Sequence, residues 1–362
     1  MEILSFVFAL IALCFLIFFH ELGHFLVARL CGVRVEIFSI GFGKRLIEKK
    51  YGNTIYAISL IPFGGYVKLK GYQPEEFSSS KKSDDKDSYL SKTPMQRILI
   101  LFAGPFFNFI LAFLLFFCVG LIGVQQYLPI IGGVQNGMPA QISGIKAGDK
   151  ILYINGKKIK TWNELSDDIA SNQEIVLQLE RNYQGSKEIL TKKIHPQISE
   201  AKNVFGESIS RAYIGIYPSG EVAKFSYGFF DSLEFAYKKS IDSGYLILKS
   251  LKKLISGIIP LQEVGGAISI VDSMAKASQR DLSLFLLWIG LFSINLGILN
   301  LLPIPALDGG QILFNLYEWV TRKPLSKTIQ TCLIMLGWGI ILFLMLLGLH
   351  NDIVRLLNGS FR

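Results

Sequence analysis

Histidine and cysteine are scarce in this sequence, and four long stretches of it have no charge at all. The four cysteines, Cys14, Cys31, Cys118 and Cys332, lie in or beside apolar runs with no CxxC spacing. Neither a thiolate zinc site nor a disulfide framework is therefore indicated. No charged residue occurs at 3–19, 98–145, 282–307 or 328–349. Each run is about long enough, or longer, to cross a hydrocarbon core of roughly 30 Å at about 1.5 Å per residue, which predicts four transmembrane helices. The first run also lacks the marks of a cleaved signal. Only Met1 and Glu2 precede it, the apolar character resumes after His20 and continues to Leu30, and there is no A-x-A pattern.

The formal net charge is +9, which in a soluble chain would raise the question of nucleic acid. Here the basic residues sit largely in connecting segments, so the expected partner is the lipid bilayer and no nucleic acid. Residues 32–97 carry 12 Lys or Arg against 7 Asp or Glu, whereas no Lys or Arg precedes the first run. The positive-inside rule places this loop in the cytoplasm and the N-terminus outside. The short third connection, with Arg322, Lys323 and Lys327, falls on the same side when four spans alternate.

The expected order is a first span at 1–31, a cytoplasmic loop at 32–95, and a second span at 96–126. An extracytoplasmic β-rich domain at 127–220 and an amphipathic helical region at 221–281 follow. The third span takes 282–310, a cytoplasmic connection 311–327, the fourth span 328–350, and an extracytoplasmic tail 351–362. In the first loop, 55–69 alternates and is rich in β-branched and aromatic residues, interrupted by Pro62 and Gly64-Gly65, which predicts a strand pair or bent ribbon. Residues 75–92 are dense in Ser, Lys and Asp and read as a mobile linker. In the outer segment, strands are expected at 130–134, 151–154, 175–180 and 213–217, a tight turn at Asn155-Gly156, and a short helix at 163–170. Residues 227–259 have apolar residues at steps of three or four, from Phe230 through Tyr237, Ile241 and Tyr245 to Ile255, with lysines elsewhere. This helix either lies on the membrane surface or packs on the outer domain.

The sequence His20-Glu21-Leu22-Gly23-His24 carries the chemistry. Imidazoles at i and i+4 stand about 6 Å apart on one helical face and can bind one zinc, while the Glu between them is near the metal without being obliged to bind it. Zinc lowers the pKa of water enough to supply a hydroxide nucleophile at neutral pH, and Glu21 is the candidate base. Two of the four histidines of the chain fall in this pentad, at the end of a transmembrane run, where an ionisable group costs about 2.5–3.5 kcal/mol and needs a partner.

A catalytic zinc needs a third protein ligand. The extended HExxHxxGxxH pattern is absent, and His195 and His350 lie in the outer domain and at the far end of the fourth span. Asp308 is the better candidate, being the first charge after the third run. From Ile3 to His20 the chain rises roughly 26 Å, and from Leu284 to Leu302 roughly 27 Å, before Pro303 and Pro305 must break the helix. Spans one and three run in the same direction, so the pentad and the broken end of span three arrive at similar depth near the cytoplasmic face. Unwound backbone at membrane depth is tolerated when it is buried in protein or lines a wet cavity, as 303–310 would in an active site.

These residues, with Asn300-Leu301-Leu302-Pro303-Ile304-Pro305-Ala306-Leu307-Asp308-Gly309-Gly310, resemble the site-2 protease family of intramembrane metalloproteases, in its bacterial branch of regulators of sigma-E. The likeness extends to Gly41-Phe42-Gly43, to 62–68 and to Ala103-Gly104-Pro105-Phe106-Phe107-Asn108, in order along nearly the whole chain. It implies Asp308 as third zinc ligand, Glu21 as base, Asn300 as a contact for the substrate backbone, and a ribbon at 55–69 that adds the substrate as a strand. It implies single-pass membrane proteins as substrates, of anti-sigma factor or remnant signal peptide type. The segment 130–217 resembles a PDZ domain, with Tyr213-Ile214-Gly215-Ile216 offered for a peptide C-terminus. Two features depart from the family: room for one PDZ-like unit where some members carry two, and Ala267 where proline is usual. The rival readings are a membrane scaffold with a structural metal, disfavoured by the intact Glu21, and a metal transporter, disfavoured by the absence of carboxylates within the other spans. The expected fold is thus an α-helical multi-pass membrane protein with four transmembrane helices, a membrane-associated β-ribbon and one extracytoplasmic β-rich PDZ-like domain.

Overall fold

The N-terminal charge-free run forms one helix, α1 (Glu2–Leu30), with the histidine pentad toward its C-terminal end. Two long strands follow, β1 (Val35–Tyr51) and β2 (Thr54–Leu69), and then helix α2 (Pro94–Ile122). The computed structural model describes residues 2–72, 85–171, 173–183, 186–203 and 207–358. Most of the linker expected at 75–92 lies outside these residues. Its last part is held in place: Tyr89 is buried, packs edge-on against Tyr72, and donates its backbone N–H to the Lys70 carbonyl. The chain forms two units, Met1–Ile122 with Gly228–Arg362, and Gly123–Tyr227.

The ribbon is more folded than the sequence pattern implies, because β2 pairs with β1 twice. Residues 54–59 face 45–51 across the turn at Gly52-Asn53, while 37–40 face both 55–58 and 65–68. Bends in each strand allow this, at Gly41 (φ +89°) and Gly43 (φ +83°) in β1 and at Gly64 (φ +144°) in β2, backbone conformations that glycine adopts at little steric cost. Residues 65–69 are left as an edge. Beside them α1 and α2 pack very closely: a Cβ on Gly23 would lie 2.3 Å from the Ala103 carbonyl oxygen. Helix α2 stops where Gly123 turns left-handed, at φ +99°.

The second unit contains β3 (Val124–Tyr127), β4 (Ile131–Val134), α3 (Pro139–Ile142), β5 (Lys150–Ile154), β6 (Lys157–Lys158) and α4 (Trp162–Ser171). It continues with β7 (Ile175–Tyr183), β8 (Ser186–Ile194), β9 (Gln197–Lys202), β10 (Ser208–Tyr213), β11 (Ile216–Pro218) and β12 (Val222–Phe225). A four-stranded sheet of order β6-β5-β7-β8 is joined by three antiparallel pairs, β3 with β12, β4 with β11 and β9 with β10. Alternate residues Ile175, Leu177 and Leu179 of β7 are buried against Ile151, Ile154, Leu165 and Ile169. The Asn155-Gly156 turn has both residues at positive φ, as a two-residue hairpin requires. Buried Asp149 accepts a bidentate pair of bonds from Arg181, at 2.7 Å each, and so fixes the 144–149 turn. The strand expected at 213–217 is broken. Gly215, at φ +79°, turns the chain where a Cβ would sit 2.3 Å from Met138, so β10 ends before it and β11 begins after it.

The helical unit resumes with α5 (Phe229–Ile255), α6 (Ala267–Arg280), α7 (Leu282–Asn300), α8 (Asp308–Thr321) and α9 (Lys327–Leu357). Among the described residues, four helices, α1, α2, α7 and α9, are long and apolar enough to cross a membrane. Helix α5 belongs to this unit and not to the β-rich one. Its packed face is the small one. Ser232 and Ala236 are buried, Ser232 meets Gly120 of α2, and Gly244 faces Ile294 and Ile298 of α7. Its apolar stripe, including Phe230, Tyr237, Ile241 and Tyr245, is exposed. In lipid the large apolar residues gain nothing by turning inward, and small ones let backbones approach, so an outward apolar stripe suits a membrane. Helix α9 continues past its apolar run because buried Asp352 accepts the N–H groups of Gly266, Ile268 and Ser269, while Asn351 donates to the carbonyls of Leu261 and Val264. These three N–H groups flank Ala267, the first residue of α6, at the start of the helix.

Candidate metal centre

Helix α1 places His20 and His24 one turn apart on its buried side, with their Nε2 atoms 3.1 Å from each other. Helix α2 lies across them. His24 Nδ1 donates to the Ile100 carbonyl at 2.8 Å, which leaves its Nε2 a bare lone pair in the neutral ring. The side chain of Asn108 lies 3.1 Å from His20 Nδ1. Pro105, inside α2, has no N–H to give the Leu101 carbonyl one turn back.

The third candidate arrives from beyond the end of α7. Helix α7 stops at Asn300, and 301–307 runs in tight turns, with Ile304 N–H donating to Leu302 and Leu307 N–H to Ile304. The unwound stretch is shorter than 303–310, because Asp308 already begins α8. Gly309 and Gly310 are needed here: a Cβ on either would lie 2.3 Å from a loop carbonyl oxygen, that of Leu301 or of Ile304. Helix α8 is anchored farther along by Arg97 of α2, which donates to both Glu318 oxygens at 3.0 and 2.8 Å. Asp308 Oδ2 consequently lies 3.2 Å from His20 Nε2 and 3.5 Å from His24 Nε2.

These separations fit one cation. Ligands at about 2.0–2.1 Å from a tetrahedral centre stand roughly 3.3 Å apart, and the three donor atoms have separations of 3.1, 3.2 and 3.5 Å. Asp308 Oδ2 is buried with no hydrogen-bond partner, the imidazole nitrogens beside it being poorly aligned for one. A carboxylate oxygen so placed costs several kcal/mol unless a positive charge meets it, about the penalty of a buried ion. The space is kept open by Gly104, whose Cβ would sit 2.3 Å from His24 Nε2 and 2.8 Å from His20 Cε1. Among the described residues this is the group of histidine and acidic side chains arranged to hold a metal.

Glu21 stands beside it. It lies against the β2 edge, where a Cβ on Gly65 would stand 3.3 Å from Glu21 Cγ. A cavity of about 390 Å³ is lined by His20, Glu21, His24, Asn300 and Asp308, with Ile17, Phe42, Tyr66 and Leu296 among its apolar walls. All five residues expected from the sequence are thus brought together. His195 and His350 are exposed and take no part. The sequence reading missed Ile100, Gly104, Asn108 and Arg97. The match of 103–108 to the family pattern was the only signal for two of them.

The sequence model of peptidase family M50 matches residues 8–344. A chain of Helicobacter pylori named "putative zinc metalloprotease" is 45% identical over 97% of this chain and 100% of its own length. A Campylobacter jejuni chain whose name also reads "putative zinc metalloprotease" is 42% identical over 98% of this chain and 95% of its own. The zinc metalloprotease RasP of Geobacillus kaustophilus is 29% identical over 94% of this chain and 95% of its own.

Proposed function

The chain belongs to peptidase family M50, and on that premise we propose that it is a zinc-dependent endopeptidase that hydrolyses a peptide bond within the membrane-spanning segment of single-pass proteins. The observation that carries this reading is the meeting of His20, His24 and Asp308 at the spacing of a tetrahedral zinc site, with Glu21 in the same cavity. His20, His24 and Asp308 would hold the metal, and three protein ligands leave one position open, as catalysis requires. A zinc ion bound there supplies Lewis acidity and a nucleophile at neutral pH.

Glu21 takes the proton of the attacking water and returns it to the leaving amine. A substrate helix must unwind before it can be cut, which exposes backbone groups that need partners in an apolar surround. The edge 65–69 of the ribbon offers them as an added strand, and Asn300, at the mouth of the unwound loop, offers its carboxamide. The apolar walls suit the side chains of a membrane span. The excess of Lys and Arg in the first loop supports a site near the cytoplasmic face and an extracytoplasmic unit at 123–227. By its resemblance to a PDZ domain, that unit takes a peptide C-terminus. Anti-sigma factors and remnant signal peptides are the substrate types that the resemblance implies.

The test is reconstitution. Purified protein in lipid vesicles with a single-pass model substrate should give products whose new termini map inside the span, and chelation followed by zinc should abolish and restore them. Cleavage confined to the soluble part of the substrate, or unaffected by chelation, would refute the proposal.

A further inference from the structure

Both imidazoles face one stripe of α2, at residues 100, 104 and 108, yet only His24 has its Nδ1 on an oxygen, the Ile100 carbonyl. His20 Nδ1 meets the carboxamide of Asn108 at 3.1 Å through Nδ2, and the other end, Oδ1, is buried with no partner. Held that way round, the amide would donate to Nδ1 and force the neutral ring to carry its proton on Nε2, which faces His24 and Asp308. The two ends of a carboxamide have the same shape and exchange by a half turn about one bond. With Oδ1 turned to Nδ1, the orphaned acceptor finds a donor, Nε2 becomes a lone pair, and Nδ2 takes the buried place that Oδ1 held.

We propose that Asn108 orients His20, its side-chain oxygen accepting the Nδ1 proton and fixing the tautomer in which Nε2 is free to bind the metal. Asn108 is fully buried, and its backbone carbonyl accepts from Ser293 of α7 at 2.7 Å, so the residue has little room to move. Each imidazole then has an oxygen from α2 on its Nδ1, the arrangement that raises ligand basicity and holds ring orientation in metal sites. Asn108 is a positioning residue and touches no reacting atom.

This inference rests on the zinc reading above, and the experiment separates the two. Zinc affinity of the full-length chain in detergent is measured by chelator competition for the wild type, Asn108→Asp, Asn108→Leu and His20→Ala. Asp keeps an acceptor at this place and Leu keeps the bulk without one. Asn108→Leu should bind zinc 10–100-fold more weakly, and Asn108→Asp within about threefold of wild type. In [¹⁵N]histidine-labelled, zinc-loaded wild type the His20 Nδ1 proton should resonate downfield, as a proton bonded to oxygen does, and should lose that shift in Asn108→Leu. Zinc affinity or proton shift unchanged in Asn108→Leu would overturn the role of Asn108 while leaving the zinc site standing. A wild type that binds no zinc, or a His20→Ala variant that binds it equally, would overturn the zinc reading and this inference with it.

Discussion

Replacing Gly104 by alanine adds one methyl group at the centre of the site. That carbon would stand 2.3 Å from His24 Nε2 and 2.6 Å from its Cε1, against an ordinary contact of 3.4 Å or more. Something must yield by about 1.1 Å, the difference between 3.4 and 2.3 Å. If the imidazoles yield, the donor atoms leave the geometry of a zinc site, where bond lengths hold to within about 0.2 Å. If α2 yields instead, it must lift from α1 at the Gly23–Ala103 contact, and it carries the Ile100 carbonyl away from His24. Overpacking of this kind costs roughly 1–3 kcal/mol. Either route should weaken zinc binding on the order of 100-fold, or about 2.8 kcal/mol at 1.4 kcal/mol per factor of ten. The assay is chelator competition on the solubilised full-length protein, with Gly339→Ala as control. Gly339 lies in α9 with nothing within 4 Å of an added Cβ, so the same substitution there should leave affinity unchanged. Gly104→Ala binding zinc within about threefold of wild type would refute the argument that α2 shapes the site.

Asp308→Ala should lower zinc affinity and abolish proteolysis together, because it removes a donor atom 3.2 and 3.5 Å from the two imidazole nitrogens; zinc retained at wild-type affinity would exclude Asp308 as a ligand. Deleting 124–226 and closing the gap with a short flexible linker should leave one zinc per chain. The closure is feasible because Val124 and Phe225 are paired neighbours in β3 and β12, and loss of zinc in the deletion would contradict a site built wholly from the helical unit.

The four spans and the pentad were legible because both are local: a charge-free run sets a span's length, and i, i+4 spacing sets a helix face. Asp308 was reachable by counting rise along two helices. What sequence could not supply were the partners that α2 brings to the imidazoles, since nothing in the spacing of Ile100, Gly104 and Asn108 says which helix they will face. Arg97 and Glu318 are 221 residues apart and meet only through the packing of α2 on α8. Strand β2 was recognised by its alternation, but its partner β1 at 35–51 was not, and the double pairing depends on bends at Gly41, Gly43 and Gly64. For α5 the periodicity identified an apolar stripe, yet much of that stripe turns outward, and Ser232, Ala236 and Gly244, with Ile247, do the packing. An amphipathic pattern names two faces; in lipid, which face packs is decided by how closely backbones can approach.

If His20, His24 and Asp308 hold zinc while Glu21 moves the proton, metal binding and proteolysis are separable. The most direct measurement is zinc content together with cleavage of a model single-pass substrate, in wild type and Glu21→Gln. Glutamine keeps the shape of glutamate but cannot take up the proton of water at neutral pH. One zinc per chain is expected in both proteins, with cleavage by the wild type alone. Cleavage by Glu21→Gln at the wild-type rate, or loss of zinc from it, would contradict the assignment.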